Sequence, residues 1–499
     1  MSCGALIAIP GLFPQFYLLG WITFVPFLLG LKRCRSAWQA YGFGLLTGFF
    51  TFIFGTFWMA EFIQLYKGYS FVNSVSLASL YWFYCAQQFA IIAVLTHGLS
   101  CNGRRANAVL WVFPTTLALV LALFPAPFPW QVGIGQSEFL VAIQATDIAG
   151  VSGLDFILGI VAVLIAQALT GQIFFQRSAL AAYALVAAWF IYGVVSLAYW
   201  DSDIAQWDTL KVGLVQPDEP PSIETPGPQP GFSLGYPIEM DLTEQLVTAG
   251  ADLVIWPELR NKQYFSQPFV RTAYQRQMKN LKTPLLLQSP EQEESGGRSF
   301  TFNTAVLIDA NGRQSGAYRK IKRIALAEYL PLFEHSETVK GWARQYLGQF
   351  FGDYSAGPEP KSFVIGKAGI EPFICYEVMF PHFVAASNNA TRADIFVAQS
   401  NNGWFGDTRV PYPHMSGSVL RSVENRRPMV HAMNNGLGGV SLPSGRILLR
   451  TDHRKVAGYL IEVPYSKTGG ATFYSRFPYW FISLLGLGLL LMLVRALRR

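Results

Sequence analysis

Charge is what this chain has least of. Only 14% of its 499 residues are charged, against about 25% in an ordinary soluble domain. Cysteine and histidine are also scarce, with five and six residues. Cys3, Cys34, Cys85 and Cys101 lie in or beside the apolar N-terminal part, leaving Cys375 alone in the polar region. That region therefore has no partner for an internal disulfide, and no Cys-x-x-Cys or Cys/His spacing suggests zinc. The net charge of +7 does not describe a nucleic-acid-binding face. Lys32, Arg33 and Arg35 follow the first apolar run, Arg104 and Arg105 follow the third, and Arg495, Arg498 and Arg499 end the chain. Such placement is the positive-inside pattern of a membrane protein.

What is present in excess is hydrophobic sequence, at 51%. A transmembrane helix needs about 20 apolar residues, and such runs occupy 4–31, 41–65, 75–99, 108–125, 154–174, 179–199 and 478–495. The first is broken by Pro10, Pro14 and Pro26 and reads either as one tilted helix or as a tight hairpin. It lacks a basic start and is too long for a cleaved signal segment. The connections 32–37, 101–107 and 172–178 carry Lys or Arg and are expected on the cytoplasmic side. Alternation then exports the polar region. The expected organisation is a helical bundle over 1–200, an extracytoplasmic domain over 201–475 and a final membrane helix over 476–499.

The polar region alternates short apolar strands with turns and helical stretches. Strands are expected at 210–215, 253–256, 284–288, 305–309, 372–376, 395–400, 429–433, 439–442 and 458–463, with helices over 237–249, 267–281 and 412–427. This mixture predicts a layered α/β domain with buried central strands. Residues 217–235, rich in Pro and Gly, read as a loop.

Three strand ends carry chemistry. Leu253-Val-Ile-Trp-Pro-Glu258 stops an apolar strand at a proline and delivers a carboxylate. Pro372-Phe-Ile-Cys-Tyr-Glu377 brings Cys375 to the point where a strand turns polar. Tyr318-Arg-Lys-Ile-Lys-Arg323 is a basic run ahead of Glu328-Tyr-Leu-Pro331. Taken singly these read as a surface Glu, a buried small hydrophobe and a solvated charge run. Taken together they make a set: a thiolate nucleophile, a carboxylate that takes and returns its proton, and an ammonium that steadies an oxyanion.

Trp-Pro-Glu258, then Lys320, then Ile-Cys375-Tyr-Glu, in that order, resembles the nitrilase (carbon–nitrogen hydrolase) superfamily. With helices before and after, nearly the whole chain resembles the apolipoprotein N-acyltransferase family. Further matching stretches are Ser400-Asn-Asn-Gly-Trp-Phe-Gly406, His414 with Arg421 and Glu424, Arg427-Pro428 and Asn434-Asn-Gly436. The resemblance implies a nitrilase-like αββα sandwich inserted between transmembrane helices. It implies Glu258 as general base, Lys320 as the cation and Cys375 as nucleophile. Glu328, Tyr376, Glu377, Asn401 and Trp404 then support the site or bind substrate.

It further implies a bacterial inner-membrane enzyme, facing the periplasm, without metal or cofactor. A phospholipid gives its acyl chain to the thiol, and the α-amine of a diacylglyceryl-cysteine lipoprotein accepts it. A monomer working in the bilayer, without nucleic acid, is expected. Some positions depart from the family pattern: Ala325-Leu-Ala327 precedes Glu328 where Pro-Phe-Gly is usual, and Asn402 stands where a carboxylate is usual. These leave the acceptor open. The alternatives are a specialised membrane acyltransferase or amidase of a conjugative transfer system acting on another exported protein, and a non-catalytic membrane scaffold.

Overall fold

A computed structural model describes residues 1–100, 108–171, 177–220, 227–258, 263–348, 351–405, 411–467 and 471–498, but not the side chains of Trp404 and Pro411. Several expectations fall outside these residues: Cys101 with Arg104 and Arg105, most of the 172–178 connection, part of the 217–235 loop, Gly406 and Arg499. The chain divides into two compact units. One comprises Met1–Ser202, Asp407–Asn425 and Thr472–Arg499, and the other Asp203–Gly406 and Arg426–Ala471.

The first unit is helical. Among its described residues, five helical segments are long and apolar enough to cross a membrane: Pro14–Leu31, Phe71–Ser100, Thr146–Leu169, Arg177–Ile204 and Trp480–Leu497. A sixth is added if the pair Ala37–Thr56 and Trp58–Lys67, bent by 55°, is one span. The 4–31 run is not a single helix. It forms Ser2–Leu12, a 3-10 segment Pro14–Trp21 and a short helix Val25–Leu31. Pro14 and Pro26 each stand at the start of a piece, where the missing N–H costs nothing. The 108–125 run becomes Val109–Leu123, 15 residues, shorter than the length that spans a bilayer unaided.

Small residues set the packing here. A Cβ on Gly44 would lie 2.5 Å from the Phe89 carbonyl, and one on Gly48 would lie 2.8 Å from that of Ala86. Helix Ala37–Thr56 therefore approaches Phe71–Ser100 backbone to backbone, the small-xxx-small contact of membrane helices. Helix Pro411–Asn425 groups with this unit, although strands flank it in sequence.

The second unit holds twelve strands: β1 Asp208–Gln216, β2 Leu253–Ile255, β3 Leu285–Ser295, β4 Arg298–Ile308, β5 Gln314–Arg319, β6 Phe363–Ile365, β7 Ala368–Ile374, β8 Ile395–Ser400, β9 Met429–Met433, β10 Gly439–Ser441, β11 Ile447–Arg450 and β12 Ala457–Tyr465. They form two six-stranded sheets, ordered β12-β1-β2-β3-β4-β5 and β11-β10-β9-β8-β7-β6. Each has a parallel centre, β1-β2-β3 and β7-β8-β9, with antiparallel flanks. Parallel strands covered on both faces require near-continuous apolar sequence, which is why Leu253–Ile255 and Ile395–Ser400 are buried throughout.

Alternate residues of the two sheets share one core, with Leu210, Val212 and Leu214 from β1 and Ile370, Val397 and Val430 from the other sheet. On the outer face of the first sheet, Val215, Val254 and Leu285 pack against residues of helices Ile238–Thr248 and Pro268–Leu281. On the outer face of the second, Phe373 meets both Phe396 of β8 and Phe383 of helix Pro381–Thr391. This is the expected αββα sandwich.

Candidate active site

Glu258, Lys320 and Cys375 are delivered by the ends of β2, β5 and β7. Trp256 fixes the first of these ends. Its indole donates to Thr243 Oγ1 at 2.8 Å, and its carbonyl accepts from Gln399 Nε2 of β8 at 2.7 Å, tying the two sheets together. Two residues on, Glu258 Oε1 accepts from Asn303 Nδ2 at 2.8 Å. Gln288 Nε2 occupies Asn303 Oδ1 at 2.7 Å, so the amide can present only its donor side to the carboxylate.

Lys320 follows β5 directly. Its main chain is held by Lys320 N donating to Asn303 O and by Gly357 N donating to Lys320 O, both 2.8 Å. Its ammonium is buried and lies 2.8 Å from Glu328 Oε1, while Glu328 Oε2 accepts from Ile324 N at 2.7 Å. A lysine buried this deeply must be paired to stay charged. Burial alone would lower its pKa, but the carboxylates of Glu328 and Glu258 outweigh burial and hold it above the usual lysine value. Lys322, by contrast, is exposed, with its ammonium 5.9 and 5.8 Å from the Phe380 and Phe383 rings.

Cys375 terminates β7 with φ +53°, the left-handed region that a non-glycine residue enters only under constraint. Burial pushes its thiol well above the ordinary value. The Glu258 carboxylate, which shares a hydrogen bond with it, pushes the same way, and Lys320 opposes both. The resting group is thus a thiol beside a carboxylate, with a cation close enough to favour the thiolate once it forms.

The supporting residues separate into three roles. Glu377 is buried and ties the Cys375 turn to the Lys320 segment, accepting from Ile374 N at 2.8 Å, Ile321 N at 2.8 Å and Lys322 N at 2.9 Å. Tyr376 is half-buried and packs edge-on against Phe380, with ring centroids 5.7 Å apart. Asn401 is a loop latch whose Oδ1 accepts from Gly403 N at 2.9 Å and Asn434 Nδ2 at 3.1 Å. Asn434 also exchanges side-chain hydrogen bonds with the Glu219 main chain at 2.8 and 3.0 Å. The backbone of Trp404 lies in the 3-10 turn Gly403–Phe405.

Asn303, Gln288 and Tyr318 had no role assigned from the sequence. The available signal was polarity inside a strand, because Asn303 and Thr304 are buried in the middle of β4.

The arrangement can hold a thiol next to a proton acceptor and an oxyanion next to a buried ammonium, which is what acyl transfer through a covalent intermediate requires. A model of the carbon-nitrogen hydrolases matches residues 235–460, and a model of the apolipoprotein N-acyltransferase N-terminal domain matches residues 3–164. Among curated proteins, an apolipoprotein N-acyltransferase of Geobacter metallireducens is 29% identical over 95% of this chain and 90% of its own. One of Azotobacter vinelandii is 30% identical over 94% of this chain and 89% of its own. Among solved structures, an amidase from Nesterenkonia sp. is 18% identical and covers 52% of this chain and 92% of its own, with a TM-score of 0.38. Two successive family matches, relatives aligned almost end to end and several membrane-length helices place this chain in the apolipoprotein N-acyltransferase family, as a multi-pass membrane acyltransferase.

Proposed function

We propose that the chain forms a thioester on Cys375 from a phospholipid and passes the acyl group to the N-terminal amine of a diacylglyceryl-cysteine lipoprotein. The observation that carries this reading is Cys375 held at a left-handed strand end with the Glu258 carboxylate and Lys320 ammonium beside it. The placement in a bacterial inner membrane, with the sandwich on the periplasmic side and the protein acting as a monomer, belongs to the same proposal. It is supported by the basic residues that flank the apolar runs.

In the first half-reaction Glu258 takes the thiol proton as Sγ attacks the ester carbonyl carbon. The carbonyl oxygen becomes an oxyanion stabilised by Lys320. Collapse breaks the ester C–O bond, and the departing lysophospholipid oxygen receives the proton from Glu258. In the second, the lipoprotein amine attacks the thioester carbon and yields a proton to Glu258. Collapse breaks the C–S bond, an amide remains, and the thiolate regains its proton. Glu328 keeps Lys320 charged and aimed. Both substrates carry acyl chains, so a thiol served by a membrane protein meets them without extracting either into water.

The test is to incubate purified protein with a phosphatidylethanolamine and then with a synthetic diacylglyceryl-cysteine peptide. Amide formation that depends on Cys375 supports the reading. A thioester that forms and goes only to water, or to another exported protein, would favour the amidase or the specialised acyltransferase instead.

A further inference from the structure

We propose that Tyr318 is a positioning residue that acts through Glu377 to hold the Lys320 segment against the Cys375 turn. The proposal rests on the reading of Cys375 as nucleophile and Lys320 as its cation. Tyr318 is fully buried at the end of β5, and its hydroxyl lies 2.9 Å from both carboxylate oxygens of Glu377. Glu377 is completely buried as well. Its Oε1 takes the N–H groups of Ile321 and Lys322, and its Oε2 takes that of Ile374.

A carboxylate has about four acceptor positions. Three main-chain donors and one phenol fill them. The donors come from three places: the strand before Lys320, the turn after it, and the last residue before Cys375. Lys320 is thereby gripped on both sides, and the left-handed φ of Cys375 is fixed by the same group. Burial, reinforced by the Glu377 charge, keeps the Tyr318 phenol protonated far above working pH, so it remains a donor throughout. A phenol equidistant from the two oxygens also fixes the plane of the carboxylate, which the N–H groups alone leave free to rock.

A purely structural tyrosine would lower stability when shortened by its hydroxyl and do nothing else. A positioning tyrosine would alter how well Lys320 supports the thiolate. The experiment is the pH profile of Cys375 alkylation by iodoacetamide, read by mass spectrometry of the peptide containing Cys375, in full-length detergent-solubilised protein. Thermal melting is followed alongside it. In Tyr318→Phe the midpoint is expected to rise by about one unit, so that alkylation below it slows roughly tenfold, with melting shifted by only a few degrees. Glu377→Gln, which turns one acceptor into a donor facing main-chain N–H groups, is expected to shift the midpoint further in the same direction.

An unchanged profile in Tyr318→Phe overturns the proposal. So does a variant that unfolds before the profile can be read, because the hydroxyl would then serve the fold and not the site. Alkylation needs no acyl donor, so the result is independent of which lipid is the substrate. A wild-type Cys375 that iodoacetamide alkylates but no phospholipid acylates would instead count against the proposed function.

Discussion

Each of the two units buries an ion pair, and the two are built to opposite ends. In the helical unit Arg421 and Glu424 stand three residues apart on one helix, both inaccessible, joined at 2.8 and 2.9 Å. Glu424 Oε1 also accepts from Val151 N at 2.9 Å, immediately after Gly150 turns left-handed at φ +65° beneath the Tyr474 ring. The carboxylate therefore spends itself on a counter-ion and a helix break. In the sandwich, Lys320 pairs with Glu328 across a turn, and Glu258 gives one oxygen to Asn303 while sharing a hydrogen bond with a thiol. The first ties a helix to itself and to a helix break. The second contains a proton with somewhere to go. A buried charge alone is weak evidence of chemistry; an ionisable partner beside it is stronger.

The comparison is broken most severely by removing the Glu258 carboxylate. Glu258→Gln is expected to slow acylation of Cys375 by about 10²–10⁴-fold, while the melting temperature stays within a few degrees of wild type. Single-turnover acylation and a thermal melt decide this.

Next in size are the ion pairs themselves. Lys320→Met and Arg421→Met each strand a buried carboxylate, and each is expected to cost about 3–5 kcal/mol of stability. They part company at Cys375. In the folded fraction, Lys320→Met raises the pH midpoint of alkylation, whereas Arg421→Met leaves it where it was. Equal shifts would erase the distinction between a closed pair and an open one.

A smaller effect tests the helical unit alone. Gly48→Leu forces a side chain against the Ala86 carbonyl and is expected to destabilise by about 1–3 kcal/mol, read as a lower melting temperature with Cys375 alkylation unchanged.

A pH-dependent effect concerns Glu371 on β7, which is buried and accepts from Ser387 Oγ and from Thr391 Oγ1 at 2.7 Å. Burial pushes its carboxyl up to about 8 from the usual 4.5. A raised folded-state value means that the protonated form fits the fold. Its contribution is complete below the unfolded value and declines as pH climbs from about 4.5 through about 8. Between pH 5 and 8.5 the melting temperature of Glu371→Gln should therefore fall less than that of wild type. A parallel decline would show that Glu371 is not the group responsible.

The three strand ends were legible in the sequence because each breaks a local rule. A proline and Glu258 close one apolar strand, a cysteine sits where another turns polar, and Lys320 stands in a basic run at a fixed spacing ahead of Glu328-Tyr-Leu-Pro331. Tyr318 and Lys320 share the buried face at the end of β5, and because the strand stops at Arg319 the chain has turned before Lys322, which is exposed. The central strands were legible as well, since buried parallel strands are apolar from end to end.

Of the edge strands, β12 was legible at 458–463, but β5, β6 and β11 were not. β5 reads Gln-Ser-Gly-Ala-Tyr-Arg, and β6 and β11 offer only three apolar residues each, too few to mark a strand. Helices Glu337–Leu347 and Pro381–Thr391 likewise passed unread, the first because its few apolar residues are Val339, Trp342, Ala343, Tyr346 and Leu347 among charges. The braces were invisible for another reason. Tyr318 with Glu377, and Gln288 with Asn303 and Glu258, are contacts between residues 59, 15 and 45 positions apart, and no local pattern encodes them.

The central claim is that Cys375 carries the acyl group. The direct measurement is the mass of full-length protein, and of its Cys375 peptide, after incubation with a phosphatidylethanolamine of defined chains. The account predicts an increase equal to one acyl chain on Cys375, released by hydroxylamine and absent from Cys375→Ala. No adduct on the wild type, or the same adduct on Cys375→Ala, would contradict it.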